Sequence, residues 1–168
     1  MIFLIRHGET ASNAARVVQT PETPLSDRGC AQAEQLARRL ATEGVARILS
    51  SDFPRAAMTA ERVQAATGAA LAFDPLLQER NFGDIRGTPY AELGVDLFGP
   101  DYAPPGGETW EAFHARVDRA WDHIQGAAAE GPANLAVVSH GLVCYSLVLR
   151  HVGQPRDEPS PCASATRR

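Results

Sequence analysis

Two histidines in this chain each follow an apolar run and precede a glycine. One run is FLIRHGET, residues 3 to 10, and the other is LAVVSHGL, residues 135 to 142. A single histidine at a strand end is more often structural than catalytic. The repeated His-Gly pair at His7 and His140 indicates instead that two strand ends bring imidazoles to the same edge of a sheet.

Two arginines and a carboxylate can join these imidazoles. Arg6 directly precedes the first histidine, Arg55 lies in the first turn of a predicted helix, and Glu79 lies in a polar loop. Cationic groups around one point repel one another unless an anion lies among them, and guanidinium groups suit phosphoryl oxygens. A neutral histidine can attack phosphorus while a carboxylic acid protonates the leaving oxygen. The set therefore predicts phosphoryl transfer.

A zinc site is the alternative for the same residues, because zinc accepts two histidines and a carboxylate as ligands. The sequence contains no HExxH motif or comparable cluster, and two neighbouring arginines oppose a dication. We therefore expect no metal at this site.

Composition restricts the partners and the compartment. The 168 residues carry a net charge of −4, so no overall positive field favours nucleic acid or an anionic membrane. The three cysteines, Cys30, Cys144 and Cys162, have no CxxC spacing and are typical of reduced thiols. The N-terminal MIFLI is too short for a signal peptide, and no run reaches the roughly 18 apolar residues of a membrane span. We expect a cytoplasmic protein with one domain, residues 1 to 168.

Strands alternate with helices along the chain. The pattern predicts strands at residues 1 to 6, 46 to 51, 71 to 74 and 134 to 139, the first and last of them buried. It predicts helices from a Ser26 cap to Gly44, from an Asp52 cap to Gly68, through the stripe Trp110, Phe113, Val117, Trp121 and Ile124, and over residues 142 to 152. Residues 11 to 25 are predicted to be mostly loop, and residues 69 to 108 to be an excursion inserted near the active site. The order predicts an α/β fold with a mostly parallel sheet.

This fold would bring the candidate residues together at one edge of the sheet. Ligands of open parallel sheets bind beyond the carboxyl ends of the strands. Two predicted strands end at the histidines, and a third ends at Ser51 and Asp52. Arg55 then lies in the first helical turn, where its guanidinium and the free N–H groups can bind an anion together.

Several segments, taken in order, resemble the histidine phosphatase superfamily in its phosphoglycerate mutase-like branch. They are RHGET at 6 to 10, Asn13 at the family's spacing, PLSDRG at 24 to 29, SSDFPRAAMTAE at 50 to 61, LLQERNFGDIRG at 76 to 87, PPGGET at 104 to 109 and VSHG at 138 to 141. The resemblance runs from residue 1 to about residue 152. It implies a three-layer sandwich in which helices flank both faces of the sheet.

The resemblance also implies roles for individual residues. His7 would be the nucleophile that carries the phosphoryl group, and Glu79 would be the proton donor and then the base toward water. The groups that would bind the phosphoryl oxygens are Arg6, Arg55 and His140, helped by Asn13. Ser139 is a candidate to orient an imidazole. No metal or organic cofactor is implied.

The leading hypothesis is a phosphatase that hydrolyses small phosphomonoesters. A cofactor-dependent phosphoglycerate mutase would use the same groups, but the stretch from Glu79 to His140 is shorter than we expect for a mutase. A phosphohistidine protein phosphatase is a third candidate, although such enzymes commonly lack an equivalent of Glu79. An inactive phospho-ligand-binding module is the fourth, and the intact set of site residues argues against it.

Two departures from the family pattern leave questions open. Relatives usually continue with a further strand and a final helix, whereas CASAT at 162 to 166 resembles only the start of that strand. We therefore expect a short C-terminus. QTPETPL, residues 19 to 25, stands where the family often has a glycine and an aspartate, so the substrate stays undetermined. A homodimer is common among relatives, and the oligomeric state is equally open.

Overall fold

The computed structural model describes residues 1–131 and 133–153 of the chain. Within them the sheet has four parallel strands, β1 (Ile2–Arg6), β2 (Val45–Ser50), β3 (Ala70–Phe73) and β4 (Asn134–Ser139). Their order across the sheet is β1-β4-β2-β3, so β4 lies between the first two strands of the chain. The predicted α/β fold with a parallel sheet is confirmed.

Helices connect the strands. They are α1 (Ala11–Ala14), α2 (Asp27–Leu40), α3 (Pro54–Thr67), α4 (Trp110–Ala129) and α5 (Gly141–Leu147), the last continued by a π-helical turn (Val148–Val152). Between β3 and α4 the chain forms short 3₁₀ turns, at Pro75–Leu77, Gly83–Ile85 and Tyr90–Glu92, and one isolated antiparallel bridge between Pro89 and Val17.

The central strand β4 shows why helices cover both faces of the sheet. Ala136 and Val138 are fully buried against residues of α2 and α3. Leu135 and Val137 point the other way and are buried against residues of α4 and α5. Because successive side chains of a strand point to opposite faces, an unbroken apolar run requires a layer on each side. This is the three-layer sandwich that the resemblance implies.

The predicted stripe of α4 packs against the sheet. Phe113, Val117 and Ile124 are almost completely buried in the cluster that also contains Leu135. The indole nitrogen of Trp110 donates a hydrogen bond of 2.7 Å to the carbonyl of Gly99, which ties the loop before α4 to the helix.

One predicted helix start is correct and another is wrong. The Ser26 hydroxyl accepts a hydrogen bond from the backbone N–H of Gly29, as expected of an N-cap. Asp52 does not cap α3, because the N-cap is Phe53 and the Asp52 carboxylate accepts from the side-chain amide of Gln78 at 2.7 Å. Proline at the first helical position has no N–H and a helix-compatible φ, so α3 can begin without a side-chain cap.

The segment predicted to be mostly loop contains the one-turn helix α1. Thr10 and Asn13 form a capping box, in which each side chain accepts the backbone N–H of the other. These local bonds support a turn of helix even though α1 buries no residue.

The turn that follows His7 packs directly on α2. A Cβ atom at Gly8 would collide with the backbone of Gly29, and one at Gly29 would collide with the backbone of Glu9. Two glycines therefore allow the loop after β1 to contact the first turn of α2, which restricts where His7 can lie.

Some expectations concern residues beyond those described. The CASAT segment, the short C-terminus and Cys162 all lie outside the described residues. Cys30 and Cys144 are free thiols. Among the described helices, none is long and apolar enough to cross a membrane.

Candidate active site

Three neighbouring strands end at the same edge of the sheet, each followed by a polar residue. The backbone N–H of His7 donates to the carbonyl of Ser139 at 3.0 Å, and that of Ser51 donates to the carbonyl of Val138 at 2.9 Å. These bonds extend the ladders of β1 and β2 on β4 by one residue. They bring the rings of His7 and His140 together, with centroids 5.1 Å apart. The predicted convergence of the two histidines is confirmed.

His7 is arranged to keep a lone pair on Nε2. Its Nδ1 lies 2.6 Å from the carbonyl oxygen of Gly8, which can only accept, so Nδ1 carries the proton. Burial lowers the pKa of His7 to about 4, against the opposing effect of the Gly8 carbonyl, and the charges of Arg55 and Arg6 lower it further. The imidazole is therefore neutral near pH 7, which is the form that can act as a nucleophile.

His140 is fully buried beside it. Its Nε2 lies 2.8 Å from the hydroxyl of Ser51, which is the serine that contacts the imidazole. The prediction for Ser139 is wrong, because the Ser139 hydroxyl donates instead to the carbonyl of Leu77 at 2.7 Å. Burial holds the pKa of His140 well below its usual value, and the charge of Arg55 acts in the same direction.

The Phe53 ring lies close to both Arg55 and His140. Its guanidinium lies 5.0 Å from the centroid of the Phe53 ring, which in turn lies 5.4 Å from that of His140. One nitrogen, Nη1, donates to the carbonyls of Thr20 and Pro21 at 3.0 and 3.3 Å. Burial lowers the pKa of Arg55 to about 10, so the group remains a cation near neutral pH.

Two buried nitrogens near His7 have no hydrogen-bond partner within the described residues. They are Nε of Arg55 and Nδ1 of His140. An unsatisfied buried polar group costs about 1–3 kcal/mol, so a buried group without a protein partner is expected to meet water, an ion or a ligand. Both sites can donate a proton, since Arg55 is charged and a His140 that accepts from Ser51 at Nε2 carries its proton on Nδ1. An anion between them would satisfy both.

Glu79 reaches the same place from the loop after β3. One carboxylate oxygen accepts from the backbone N–H of Arg80 at 3.0 Å and the other from that of Leu142 at 3.3 Å. Burial raises the pKa of Glu79, although these two bonds and the charges of Arg55 and Arg6 oppose the rise. A raised pKa favours the protonated carboxyl, which is the form that can give a proton to a leaving group.

Arg6 and Glu79 both lie close to Gly141 at the start of α5. A Cβ atom at this position would lie 3.7 Å from the Arg6 guanidinium and 3.9 Å from the Glu79 carboxylate. Arg6 is exposed, unlike Arg55, and its charge lowers the pKa of His7. The second His-Gly pair therefore brings Arg6 and Glu79 close to the carboxyl end of β4.

Asn13 lies in a different environment from the other predicted residues. Its side-chain oxygen accepts from both the backbone N–H and the hydroxyl of Thr10, at 3.2 and 3.1 Å. Within the described part of the chain, no hydrogen bond links Asn13 to either histidine. Only its amide NH₂ group would be available to a ligand.

An ion pair behind Glu79 was not predicted. Glu108 and Arg116 bind each other through two contacts, and Arg116 also donates to the carbonyls of Leu76, Gln78 and Glu79. Glu108 is the acidic residue of the PPGGET segment, which could have drawn attention to it. Nothing local in the sequence indicates that Arg116, on α4, is its partner.

A cavity of about 50 Å³ adjoins Arg55 and Glu79. Its polar lining includes Gln19, Arg86 and Tyr90, while neither histidine contributes to it. It therefore adjoins Arg55 and Glu79 on a side that neither histidine lines.

The site has the parts that transfer of an anionic group requires: a neutral imidazole with a free lone pair, nearby cations and a carboxyl group with a raised pKa. In residues 1–131 and 133–153, no three histidine, cysteine, aspartate or glutamate side chains are grouped so that they could hold a metal ion.

Comparison with known proteins points to one superfamily. The sequence profile of the histidine phosphatase superfamily (branch 1) matches residues 2–165. The "Probable phosphoglycerate mutase GpmB" of Yersinia pestis (strain Pestoides F) is 32% identical over 166 residues, which cover 92% of this chain and 75% of that protein.

Solved structures share the fold. The alpha-ribazole phosphatase from Shigella flexneri has a TM-score of 0.80 and 30% identity, covering 92% of this chain and 80% of the other. A mycobacterial glucosyl-3-phosphoglycerate phosphatase, solved in complex with VO3, has a TM-score of 0.79 and 28% identity, covering 90% and 80%. Both of these structural neighbours are phosphatases.

Proposed function

Because the chain belongs to the histidine phosphatase superfamily (branch 1), we propose that it hydrolyses small phosphomonoesters through a phosphohistidine on His7. The observation that carries the proposal is the pair of buried donors without partners, Arg55 Nε and His140 Nδ1, beside a neutral imidazole. A phosphoryl group would accept from both donors while its phosphorus faces Nε2 of His7.

In the first step Nε2 of His7 forms a bond to phosphorus as the bond from phosphorus to the leaving oxygen breaks. The proton of the Glu79 carboxyl moves to that oxygen, which leaves as an alcohol. Arg6, Arg55 and His140 bind the phosphoryl oxygens throughout. The phosphorylated ring keeps its Nδ1 proton, and the carbonyl of Gly8, 2.6 Å away, stabilises the positive charge that the ring acquires.

In the second step a water oxygen forms a bond to phosphorus as the phosphorus–nitrogen bond breaks. The Glu79 carboxylate, ionised by the first step, takes a proton from the water. Inorganic phosphate leaves, and His7 recovers its lone pair and Glu79 its proton. Both half-reactions therefore use one carboxyl group, first as acid and then as base.

Mutase activity is the second candidate, since one relative is named a probable phosphoglycerate mutase. A mutase would pass the phosphoryl group from His7 to an alcohol instead of water. We favour hydrolysis because the two structural neighbours described above are phosphatases. Interconversion of phosphoglycerates without release of phosphate would favour the mutase.

Labelling that is quenched in alkaline detergent, where a phosphohistidine survives, tests the proposal. After incubation with a phosphomonoester labelled in its phosphoryl group, wild type should retain acid-labile label and release labelled phosphate. His7→Ala should do neither, while His123→Ala, which removes a solvent-exposed imidazole on α4, should behave as wild type. Label that persists on folded His7→Ala would show that another residue is the nucleophile.

A further inference from the structure

The two peptide groups that follow His7 are held by the two helices that cover one face of the sheet. The backbone N–H of Gly8 donates to the hydroxyl of Thr59 on α3 at 3.3 Å. The backbone N–H of Glu9 donates to the side-chain oxygen of Gln32 on α2 at 2.8 Å. Among the described residues, these are the acceptors found for the two N–H groups. Side chains remote in sequence therefore fix the backbone next to His7.

The carbonyl of Gly8 belongs to the second of these peptide groups and decides which nitrogen of His7 carries the proton. It lies 2.6 Å from Nδ1 and leaves the lone pair on Nε2. A glycine has no Cβ to restrict its rotation, and a Cβ at Gly8 would collide with the backbone of Gly29. The direction of this carbonyl therefore depends on what holds the adjoining N–H groups.

The Thr59 hydroxyl is almost completely buried, and its two bonds fix the roles of its atoms. It donates to the carbonyl of Arg55 at 2.8 Å, since a carbonyl can only accept, and so offers a lone pair to the N–H of Gly8. Arg55 lies one turn earlier on the same helix. One hydroxyl thus connects the backbone of a phosphate-binding candidate to the loop that carries the nucleophile.

The bond from Gln32 is the weaker of the two constraints. Its side chain is exposed and lies beside β1 in a groove of about 380 Å³, where water competes for the same partners. Removal of the Thr59 hydroxyl would leave the N–H of Gly8 without its acceptor. The Arg55 carbonyl would be less affected, because the helix itself supplies an N–H donor four residues later.

We propose that Thr59 is a positioning residue for the nucleophile, whose hydroxyl fixes the peptide group before Gly8 and thereby the carbonyl that keeps the His7 proton on Nδ1. Without this hydroxyl the Gly8 carbonyl is free to turn away, and the proton is free to move to Nε2. That tautomer has no lone pair on Nε2 with which to attack phosphorus. The inference deepens the proposed function, on which it rests for the role of His7.

Nuclear magnetic resonance of the imidazole nitrogens tests the proposal without substrate, because protonated and unprotonated ring nitrogens differ in chemical shift. The His7 signals are those that His7→Ala lacks. Wild type should carry the His7 proton on Nδ1 at neutral pH. Thr59→Val, which nearly keeps the shape of the side chain and removes the hydroxyl, should place part of the population on Nε2. Thr59→Ser, which keeps the hydroxyl, should resemble wild type.

Thr67→Val is the matched control on α3. The Thr67 hydroxyl donates to the carbonyl of Val63 at 2.8 Å and accepts from the backbone N–H of Ala69 at 3.2 Å. It therefore makes the same two kinds of bond as Thr59, but both are local to the end of the helix. A general loss of stability should lower the Tm of Thr67→Val and leave the tautomer of His7 unchanged.

Single-turnover phosphorylation of His7 is the second readout. Loss of one neutral hydrogen bond changes an equilibrium by roughly 2- to 10-fold, so Thr59→Val should slow this step by a factor in that range. An alkyl phosphate and p-nitrophenyl phosphate should be slowed equally, because both need the same lone pair. Glu79→Gln should instead slow the alkyl phosphate more.

Thr59→Ala is a second variant, which removes the hydroxyl without placing a methyl group against the N–H of Gly8. It should shift the tautomer in the same direction as Thr59→Val. If either folded variant keeps the His7 proton entirely on Nδ1, or is phosphorylated at the wild-type rate, Thr59 does not position the nucleophile.

The tautomer and the reaction can fail independently. A tautomer that depends on Thr59, with no label on His7 in the wild-type enzyme, would overturn the phosphohistidine mechanism and leave the positioning of His7 by Thr59 standing. Labelling of His7 with a tautomer that does not depend on Thr59 would do the reverse.

Discussion

Arg116 and Glu108 form an ion pair with two contacts, 2.7 Å from Nε to Oε1 and 2.8 Å from Nη2 to Oε2. Arg116 also donates to the carbonyls of Gln78 and Glu79, at 2.8 and 3.3 Å, while the backbone N–H of Asn81 donates to Glu108 at 2.8 Å. The pair therefore holds the backbone on both sides of Glu79.

The first prediction is that Glu108→Gln impairs the action of Glu79. The glutamine keeps the size of the side chain but leaves Arg116 without an ionised partner, so the Gln78–Asn81 backbone should shift. We expect kcat to fall more for an alkyl phosphate than for p-nitrophenyl phosphate, whose leaving group needs no proton, with KM nearly unchanged. Steady-state kinetics with both substrates measures this.

Asp118→Asn is the matched control, because Asp118, on α4 like Arg116, forms a similar two-contact pair with Arg150 of the π-helical turn. Within the described residues, neither of them forms a hydrogen bond with Glu79. It should leave the ratio of the two rates as in wild type. A Glu108→Gln variant with a lower Tm but an unchanged rate ratio would mean that the pair stabilises the fold without positioning Glu79.

The second prediction is that Glu79 donates the proton that the leaving oxygen receives. General-acid assistance is worth about 10²–10⁴ in rate, and it matters most when the leaving alkoxide is strongly basic. Glu79→Gln should therefore slow the phosphorylation of His7 by an alkyl phosphate far more than by p-nitrophenyl phosphate. Single-turnover phosphorylation is the proper measurement, since hydrolysis of the phosphohistidine is a shared step that also uses Glu79.

Arg55→Ala is the comparison for this experiment. Arg55 binds phosphoryl oxygens in either substrate, so its loss should slow both phosphorylation reactions by similar factors. If Glu79→Gln also slows both equally, the proton must come from another group.

The third prediction concerns vanadate, which adopts the five-coordinate geometry of phosphoryl transfer. It should inhibit competitively, and both activity and inhibition should persist in EDTA. Arg55→Ala should weaken vanadate inhibition by roughly 10-fold or more, the effect of losing a charge-assisted contact, whereas Arg39→Ala should not. Activity that EDTA abolishes and zinc restores would instead support the metal-site hypothesis.

The fourth prediction links Glu79 to stability. Because its pKa is raised in the folded protein, the stability it contributes is complete below its ordinary pKa near 4.5 and is lost as pH rises through the folded value. Glu79→Gln removes this loss, so its Tm relative to wild type should increase between pH 4 and pH 8. Thermal unfolding at several pH values measures the difference.

Glu61→Gln, which removes an exposed carboxylate of α3, is the control for the loss of one negative charge. A Tm advantage of Glu79→Gln that stays constant or shrinks as the pH rises would contradict the burial of an ionisable group at this position. The Tm of Glu79→Gln thus measures the effect of Glu79 on stability, whereas the rates of the same variant measure its role in catalysis.

The hydrophobic patterns of the sequence were sufficient to predict the α/β architecture. Continuous apolar runs such as LAVVS require cover on both faces of a strand, and a helical stripe such as Phe113 to Ile124 supplies it. Once the strands are parallel, residues that follow them must lie at one edge. The meeting of His7 and His140 could therefore be predicted from local sequence alone.

Prediction from neighbouring residues in the sequence failed where two residues could each have made the same contact. Ser139 adjoins His140 in sequence, yet Ser51 is the serine at its imidazole, because alternate side chains of a strand point to opposite faces and the end of β2 lies beside β4. Asp52 has the side chain of a good cap, but Pro54 sets the start of α3 and frees Asp52 to bind Gln78.

The sequence by itself determined which chemical groups stand at the ends of the strands, since hydrophobic periodicity and strand direction are properties of short segments. Only the tertiary structure decided which of those groups are buried, which donors lack partners and which charges are paired. Glu108 meets Arg116, and Arg86 faces the cavity, because segments remote along the chain pack together. Burial and pairing set pKa values and hydrogen-bond demands, and both depend on contacts that no short segment contains.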